Sequence, residues 1–524
     1  GYGCSQSRGE TRGVAGTLLL LVSVMGLLWR RRLGTLRAAL TVALVASLGL
    51  SMTACKSDVP VDDGLGDAGT GEDMSEDVGK PRPEFSDTDE IGRYQSAIVA
   101  GGKLLIAAYN ASFGDLAFTE TKDPTGKLLW FPVDGLPSGD PENTDKKATR
   151  GGYVDVGDDV GKWTAMAISS KGSPVIAYQD VTASAVKLAV RDGDKWTLSN
   201  VTDISEGRGI GAYTQLVLDD NNIPTLAYMV AGSTIPMGMG KVAAQLVVAR
   251  AKSATPSKPS DWTKTVVESV QVPCSGLCAK GEACVYIDPA KKDKLATVCK
   301  PVEKTCSPSC KSSQACLAAK CVDALGTPPA NLPEGTGLFA RLLTDKSGAQ
   351  LLFYNHTTGA LKLASGADWK VTTLEGGDGM LDTGRYIGAT LGTDGTLHMT
   401  FSNADSQLWY RSWKAGTMTK SELVDDGNRA VMMATESHSV GAGAVIFLDA
   451  GLPAVAYQDS TAGTLELARR DAMGKWTHKT AAGAPGKSRG YFPQAIKWNE
   501  KWWLLDVVYD RAAPALSGIQ FTAL

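Results

Sequence analysis

The residues best suited to chemistry in this 524-residue chain are its cysteines, and eight of the ten fall between Cys274 and Cys321. They read Cys274-x3-Cys278-x5-Cys284-x14-Cys299 and then Cys306-x3-Cys310-x5-Cys316-x4-Cys321, two copies of one four-cysteine unit. A segment this poor in apolar residues cannot build a core and needs covalent staples, so the pattern points to an oxidising compartment. Eight thiols permit 105 pairings; pairing confined to each copy leaves three ways in each, nine in all (3 × 3). Zinc is disfavoured, because the insert has no Cys-x2-Cys pair and no histidine. The expected chemistry is disulfide formation, with no metal.

Arginines form the second set. Arg93, Arg385 and Arg489 each stand beside a tyrosine in a Gly-Arg-Tyr or Arg-Gly-Tyr triplet, and Arg208 lies just ahead of Gly211-Ala212-Tyr213. A planar guanidinium fork suits a carboxylate. These four arginines, with Tyr94 and Tyr386, are the candidate ligand-binding residues. Nothing marks a catalytic residue. The four histidines (His356, His398, His438, His478) show no zinc-binding spacing, and no nucleophile elbow or phosphate-cradling loop occurs. No cofactor is implied. A net charge of −3 leaves no electrostatic footprint for nucleic acid.

The elements that must position these residues come from a repeat. Gly172–Thr197 reads GSPVIAYQDVTASAVKLAVRDGDKWT, and Gly451–Thr477 repeats its Pro, Ala-Tyr-Gln-Asp, Leu-Ala-x-Arg and Lys-Trp-Thr. Fainter copies place a strand-end aromatic at Tyr109, Tyr178, Tyr228, Tyr354, Phe401, Tyr457 and Tyr509. Each unit has a Gly-x-Tyr strand, an apolar central strand, a third strand and a Trp-led fourth, separated by Asp/Asn/Gly turns. Four short antiparallel strands per ~40–50 residues, repeated, predict a β-propeller. The expected fold is therefore all-β, a propeller of seven four-stranded blades, with six or eight as the alternatives, and with the disulfide-rich insert between blades three and four.

The outer-strand tryptophans are expected to pack between blades, and Asn110, Asp180, Asn355, Asp459 and Asp510 to cap their own turns. The fifth unit lacks a clear Trp-led strand. The seventh stops after its third, which leaves residues around Phe85 to Ile91 to supply its fourth.

The N-terminal ninety residues read as an address. Gly3-Cys4-Ser5, the apolar run Val14–Trp29 and Arg30-Arg31-Arg32 resemble the C-terminal sorting tails of myxobacterial surface proteins. Arg30–Arg32 and Arg37, then an apolar stretch ending Ser51-Met52-Thr53-Ala54-Cys55, resemble the signal and lipobox of bacterial lipoproteins, with Met25 as a start. That resemblance implies lipidation of Cys55 and membrane attachment without a spanning helix. Lys56–Glu90 is acidic and poor in apolar residues, a disordered tether. The resulting domains are 1–54 (targeting), 55–90 (tether), 91–272 (blades 1–3), 273–322 (Cys-rich insert) and 323–524 (blades 4–7).

From Arg93 onward the units resemble exported bacterial propeller-repeat proteins of the pattern Asp-x-x-Gly-x-Pro-x-Ile-Ala-Tyr-x-Asp … Trp, and the Cys-rich unit resembles short repeats of exported proteins. The resemblance implies a monomeric lipoprotein of the outer membrane or cell surface that binds a glycan or surface protein. Two alternatives remain. One is a sialidase-like or other glycan-active enzyme using the arginines, although the Ser-x-Asp-x-Gly-x-Thr-Trp turn of sialidases is missing. The other is a purely structural envelope component.

Overall fold

The structure, a computed structural model, describes residues 84–524 except 145–147, 234–241, 279, 304–305, 327–331, 347, 379–380, 432–433, 511 and 513–517. The targeting region, the Cys55 lipid site and nearly all of the tether lie outside the described residues. No helix among those described is long and apolar enough to cross a membrane.

The chain is all-β, and each repeat unit folds as one antiparallel sheet in the order of its strands. The first sheet holds β1 (Ile91–Ala100), β2 (Lys103–Asn110), β3 (Asp115–Thr121) and β4 (Phe131–Asp134). The second holds β5 (Val160–Ile168), β6 (Pro174–Asp180), β7 (Ala185–Asp192) and β8 (Lys195–Asn200). The third holds β9 (Arg208–Leu218), β10 (Pro224–Ser233), β11 (Val242–Ala251) and β12 (Trp262–Val272).

Next come the short strands β13 (Glu282–Tyr286), β14 (Thr297–Pro301), β15 (Gln314–Leu317) and β16 (Lys320–Leu325), all within the cysteine-rich segment. The sheet pattern resumes with β17 (Thr336–Asp345), β18 (Gly348–Asn355), β19 (Ala360–Ser365) and β20 (Lys370–Gly376). The following sheet holds β21 (Thr383–Leu391), β22 (Leu397–Asn403), β23 (Leu408–Lys414), β24 (Thr417–Met418) and β25 (Glu422–Asp425). A hairpin, β26 (Asn428–Val431) and β27 (Ala434–Ser437), precedes the sheet of β28 (Val440–Asp449), β29 (Leu452–Asp459), β30 (Thr464–Arg470) and β31 (Trp476–Ala482). The last sheet holds β32 (Lys487–Trp498), β33 (Lys501–Asp510) and β34 (Gly518–Ala523).

Local sequence sets the rank of each strand. Continuous apolar runs with no polar alternation fit a strand covered on both faces, and Pro174–Asp180 is buried at every position. The alternating Lys195–Asn200 is mostly exposed and forms an outer edge. Cores lie between consecutive sheets. Leu105, Leu116 and Phe118 of the first meet Val160, Ile176 and Tyr178 of the second. Leu104 and Ile106, on the other face, meet Ile496, Trp498 and Leu505 of the last. The first strands β1, β5, β9, β17, β21, β28 and β32 pack each on the next, and β32 packs on β1. This closed ring of sheets is a β-propeller, and β1, β5, β9, β17, β21, β28 and β32 are its inner strands.

Two details depart from the sequence expectation. In the fifth unit the outer strand is broken, because both β24 and β25 pair with β23. The last sheet gains no fourth strand from Phe85–Ile91. Phe85 N–H donates to Trp130 O (2.9 Å) in the first sheet, and only Ile91 pairs with β34, parallel, at Gly518. Reason for the difference: Phe85 is an anchor residue, buried against Ile91, Ala108, Ala117 and Trp130 of the first sheet.

The packing and turn expectations hold. The Trp196 ring meets Phe118 of the preceding sheet edge-on at 5.2 Å, and Trp476 meets Tyr410 at 5.3 Å. Asn110, Asp180, Asn355, Asp459 and Asp510 each accept backbone N–H bonds from residues two or three positions on. Pairing of the cysteines stays within each copy: Cys274–Cys284, Cys278–Cys299, Cys306–Cys316 and Cys310–Cys321. Of the nine arrangements, both copies take first-to-third and second-to-fourth. The four disulfides agree with export to an oxidising compartment.

Candidate functional site

Each inner strand carries the same local device. A glycine with positive φ is followed by one residue and then by a second residue in the left-handed region. Examples are Gly161 (φ 96°) with Trp163 (φ 52°), and Gly384 (φ 114°) with Tyr386 (φ 52°). The pairing register slips there, so that Trp163-Thr164, Tyr213-Thr214 and Tyr386-Ile387 have no partner in the neighbouring strand. A bulge of this kind re-aims a side chain. Here it lifts the third residue of each triplet out of its sheet, toward the equivalent residue of the next.

These residues are Tyr94, Trp163, Tyr213, Phe339, Tyr386, Gly443 and Phe492. Their rings touch in sequence around the inner ring: Phe492–Tyr94 at 4.8 Å, Tyr94–Trp163 at 4.7 Å, Trp163–Tyr213 at 4.1 Å, Tyr213–Phe339 at 5.1 Å and Phe339–Tyr386 at 4.8 Å. The arc lacks a ring only at Gly443, where Pro493 packs so close that an added Cβ would stand 3.0 Å from its Cδ. Tyr213 is the deepest (7 % exposed) and Tyr386 the most open (36 %). Burial pushes the phenols of Tyr94 and Tyr213 up, so they remain neutral donors.

Charge is balanced beside the arc. Three triplets follow an acid in the pattern acid-x-Gly-base-aromatic, and the acid pairs with the base in each: Glu90–Arg93 (2.5 Å), Asp159–Lys162 (2.6 Å) and Asp382–Arg385. The strand-end tyrosine of the preceding sheet joins two of these pairs, since Tyr109 donates to Asp159 (3.0 Å) and Tyr354 to Asp382. Lys162 Nζ lies 5.1 Å from the Tyr109 ring centre and Arg93 5.5 Å from that of Tyr509. The strand-end aromatics therefore serve the joints between sheets.

The arginines picked out in the sequence are engaged separately. Arg93 and Arg385 flank the arc in their local ion pairs. Arg489 is buried in its own sheet, forking onto Asp506 at 2.8 and 2.6 Å. Arg208 faces the cysteine-rich segment, donating to Glu282 Oε2 and Leu277 O, both at 2.9 Å. Every guanidinium of the four holds a carboxylate of its own. Tyr94 and Tyr386 do join one feature, the arc. Trp163, Phe339 and Phe492, which the sequence reading does not single out, hold the same Gly-x-aromatic position as Tyr213.

Three other groupings lie outside the arc. Asp425, Asp459, Arg429, His438, His478 and Tyr457 form a network at the β26–β27 hairpin. Tyr457 donates to Asp425 (2.6 Å), Arg429 bridges Asp425 and Asp459, and His438 Nδ1 lies 2.6 Å from Asp459. Burial opposes the Asp425 charge, but Arg429, Tyr457 and the Gly427 N–H outweigh it and hold the carboxyl at about 2. The network clamps the hairpin. A cleft of about 620 Å³ opens at the seam between the last sheet and the first, lined by Phe85, Asp89, Lys127, Trp130, Trp503 and Phe521. The Cys274/Cys278/Cys299 and Cys306/Cys310/Cys321 sulfurs approach one another at metal-ligand range, but all six are locked in disulfides.

No protein-family model matches the chain, and no curated protein matches its sequence. Among solved structures it is similar to polysaccharide lyase Uly1 (9% identity, 82% of this chain and 89% of that one, TM-score 0.41). It is also similar to the α-L-arabinofuranosidase arb93a of Fusarium graminearum (11%, 69% and 92%, 0.37) and to the fucoside-bound Aleuria aurantia lectin (11%, 76% and 96%, 0.35). Likeness this distant is carried by the fold alone, and the ring of sheets described above is what establishes that fold.

Proposed function

We propose that this chain is an exported, lipid-anchored binding module. Its seven-bladed propeller presents the axial aromatic arc as the seat for a glycan. Seven inner strands in mutual contact support the blade count. The arc is the observation that carries the reading: six aromatic side chains from six sheets converge on one rim, held in left-handed bulges that cost backbone strain. Strain of this kind persists where the surroundings enforce it and gathers at functional sites. Aromatic faces suit the apolar C–H faces of sugar rings, and the missing ring at Gly443 makes the seat one-sided. The anchor at Cys55 and the tether that follows it, ending where Phe85 packs into the first sheet, would hold the ring away from the membrane, with the cysteine-rich insert protruding from it.

Binding is tested on a glycan array with the full chain, followed by titration of the best probe against Trp163→Ala. Loss of one stacking face is expected to weaken binding by roughly tenfold, within the ~0.5–1.5 kcal/mol of an aromatic pair beyond its area. Trp130→Ala and Trp503→Ala, in the seam cleft, are expected to bind normally. Full binding by the Trp163 variant, or loss only in the cleft variants, would move the seat to the seam. Mass spectrometry of Cys55 checks the anchor; an unmodified thiol on a chain keeping residues 1–54 would refute it.

A further inference from the structure

The inner strands carry eight basic residues: Arg93, Lys162, Arg208, Arg341, Arg385, Lys487, Arg489 and Lys497. Seven have a carboxylate within 4 Å, namely Glu90, Asp159, Glu282, Asp382, Asp510, Asp506 and Glu500. Arg341 has none among the described residues. Of its five N–H donors, one reaches Ala340 O at 3.3 Å, a long bond to the adjacent residue, and no other acceptor is engaged. Everywhere else along the inner ring, charge is neutralised locally. At Arg341 it is left open.

Position sets the open charge beside the arc along the strand. Arg341 is the first paired residue after the β17 bulge, two residues beyond Phe339 of the arc. At the same register the other inner strands place Ser96, Ala165, Gln215, Gly388, Val445 and Gln494. None of these is charged, so no neighbouring inner strand brings a counter-ion to that level of the ring. The side chain keeps partial exposure, yet its surroundings are desolvating enough to pull the guanidinium down to about 10. A cation deep in a molecule, still touched by solvent and without a protein partner, is costly unless something else supplies the negative charge. A forked donor set suits a planar carboxylate or a sulfate.

We propose that Arg341 is the anion-binding residue of the axial seat, and that the glycan taken there is acidic, bearing a carboxylate or sulfate group. This deepens the reading of the arc as a glycan seat and rests on it. The sugar ring lies against the aromatics while its acidic group reaches past Phe339 to the guanidinium.

The test compares tri-galacturonate with its methyl ester, and 3′-sialyllactose with lactose, on the full chain by calorimetry. The native protein is expected to prefer at least one acidic probe to its neutral counterpart by roughly ten- to hundredfold, the range of a charge-assisted bond. Arg341→Gln should abolish that preference and leave neutral-probe binding unchanged, with Arg341→Lys intermediate. Because no carboxylate is orphaned by the change, Arg341→Met is expected to raise the melting temperature, whereas an arginine kept for structure would lower it. A further arm needs no sugar: sodium sulfate, against sodium chloride of equal ionic strength, should raise the melting temperature of the native chain more than that of Arg341→Gln. Protection by sulfate without binding of any sugar would sink the glycan reading and keep the anion site. Equal affinity for acid and ester, or an unchanged preference in Arg341→Gln, would overturn the proposal, as would a lowered melting temperature with binding intact.

Discussion

Replacing Gly161 by alanine tests whether the bulge that raises Trp163 is fixed by close approach between sheets. Gly161 has φ 96°, and an added Cβ would stand 2.8 Å from Leu116 Cα and 3.0 Å from Leu116 Cβ in the preceding sheet. Two costs combine. Forcing an L-residue into this backbone region costs about 1–3 kcal/mol, and overpacking against backbone costs about 1–3 kcal/mol more. Gly172 separates them, since it also has positive φ (80°) but nothing lies within 4 Å of its Cβ position. Gly172→Ala should therefore show only the first cost. Urea unfolding followed by tryptophan fluorescence reads both as shifts in midpoint at constant slope. The Gly161 variant is expected to lose about 2–6 kcal/mol and the Gly172 variant about 1–3 kcal/mol. Equal shifts for the two would refute the argument, because the contact with Leu116 would then contribute nothing.

Two further outcomes follow from the ion pairs. Arg489→Met leaves Asp506 buried and unpaired, which should cost about 3–5 kcal/mol, while Arg489→Met with Asp506→Leu should recover most of it; thermal unfolding of both variants decides, and a single-variant loss below about 1 kcal/mol would contradict the pairing. Asp425 has its folded-state carboxyl lowered to about 2 from 3.8, so its contribution is full above pH 4 and is lost as pH falls toward 2. Over that window it amounts to about 2 kcal/mol. Unfolding free energies of the native chain and Asp425→Asn measured from pH 5 to 2 should converge on acidification; a gap independent of pH would show that the shift is not real.

Much of the scaffold was legible because each local rule acts within one unit or between units adjacent in the chain. Asp180 caps its turn through Ala183 N–H, and Trp196 packs on Phe118, as their types and places in the repeat suggest. The cysteine spacing narrowed the pairing to nine arrangements, but choosing among them needed the β13–β14 and β15–β16 hairpins. These set Cys284 opposite Cys299 and Cys316 opposite Cys321, each joined instead to a cysteine of the preceding loop. A Gly-Arg-Tyr triplet looks the same whether its guanidinium is free or held; at Arg93 and Arg385 the acid three residues earlier, Glu90 and Asp382, holds it.

The repeat in Gly172–Thr197 and its relatives, with its turn residues and apolar central strands, was enough to specify sheets, their strand order and their succession, because these depend on neighbours along the chain. Ring closure was not, since it rests on β32 packing against β1, nearly four hundred residues away, and on Phe85 choosing the first sheet over the last. Nor was the arc. Six aromatics scattered from Tyr94 to Phe492 become one surface only when the closed ring brings successive bulges within about 5 Å of each other. The open charge of Arg341 belongs to the same class, for a missing counter-ion is a property of surroundings that only the folded ring assembles.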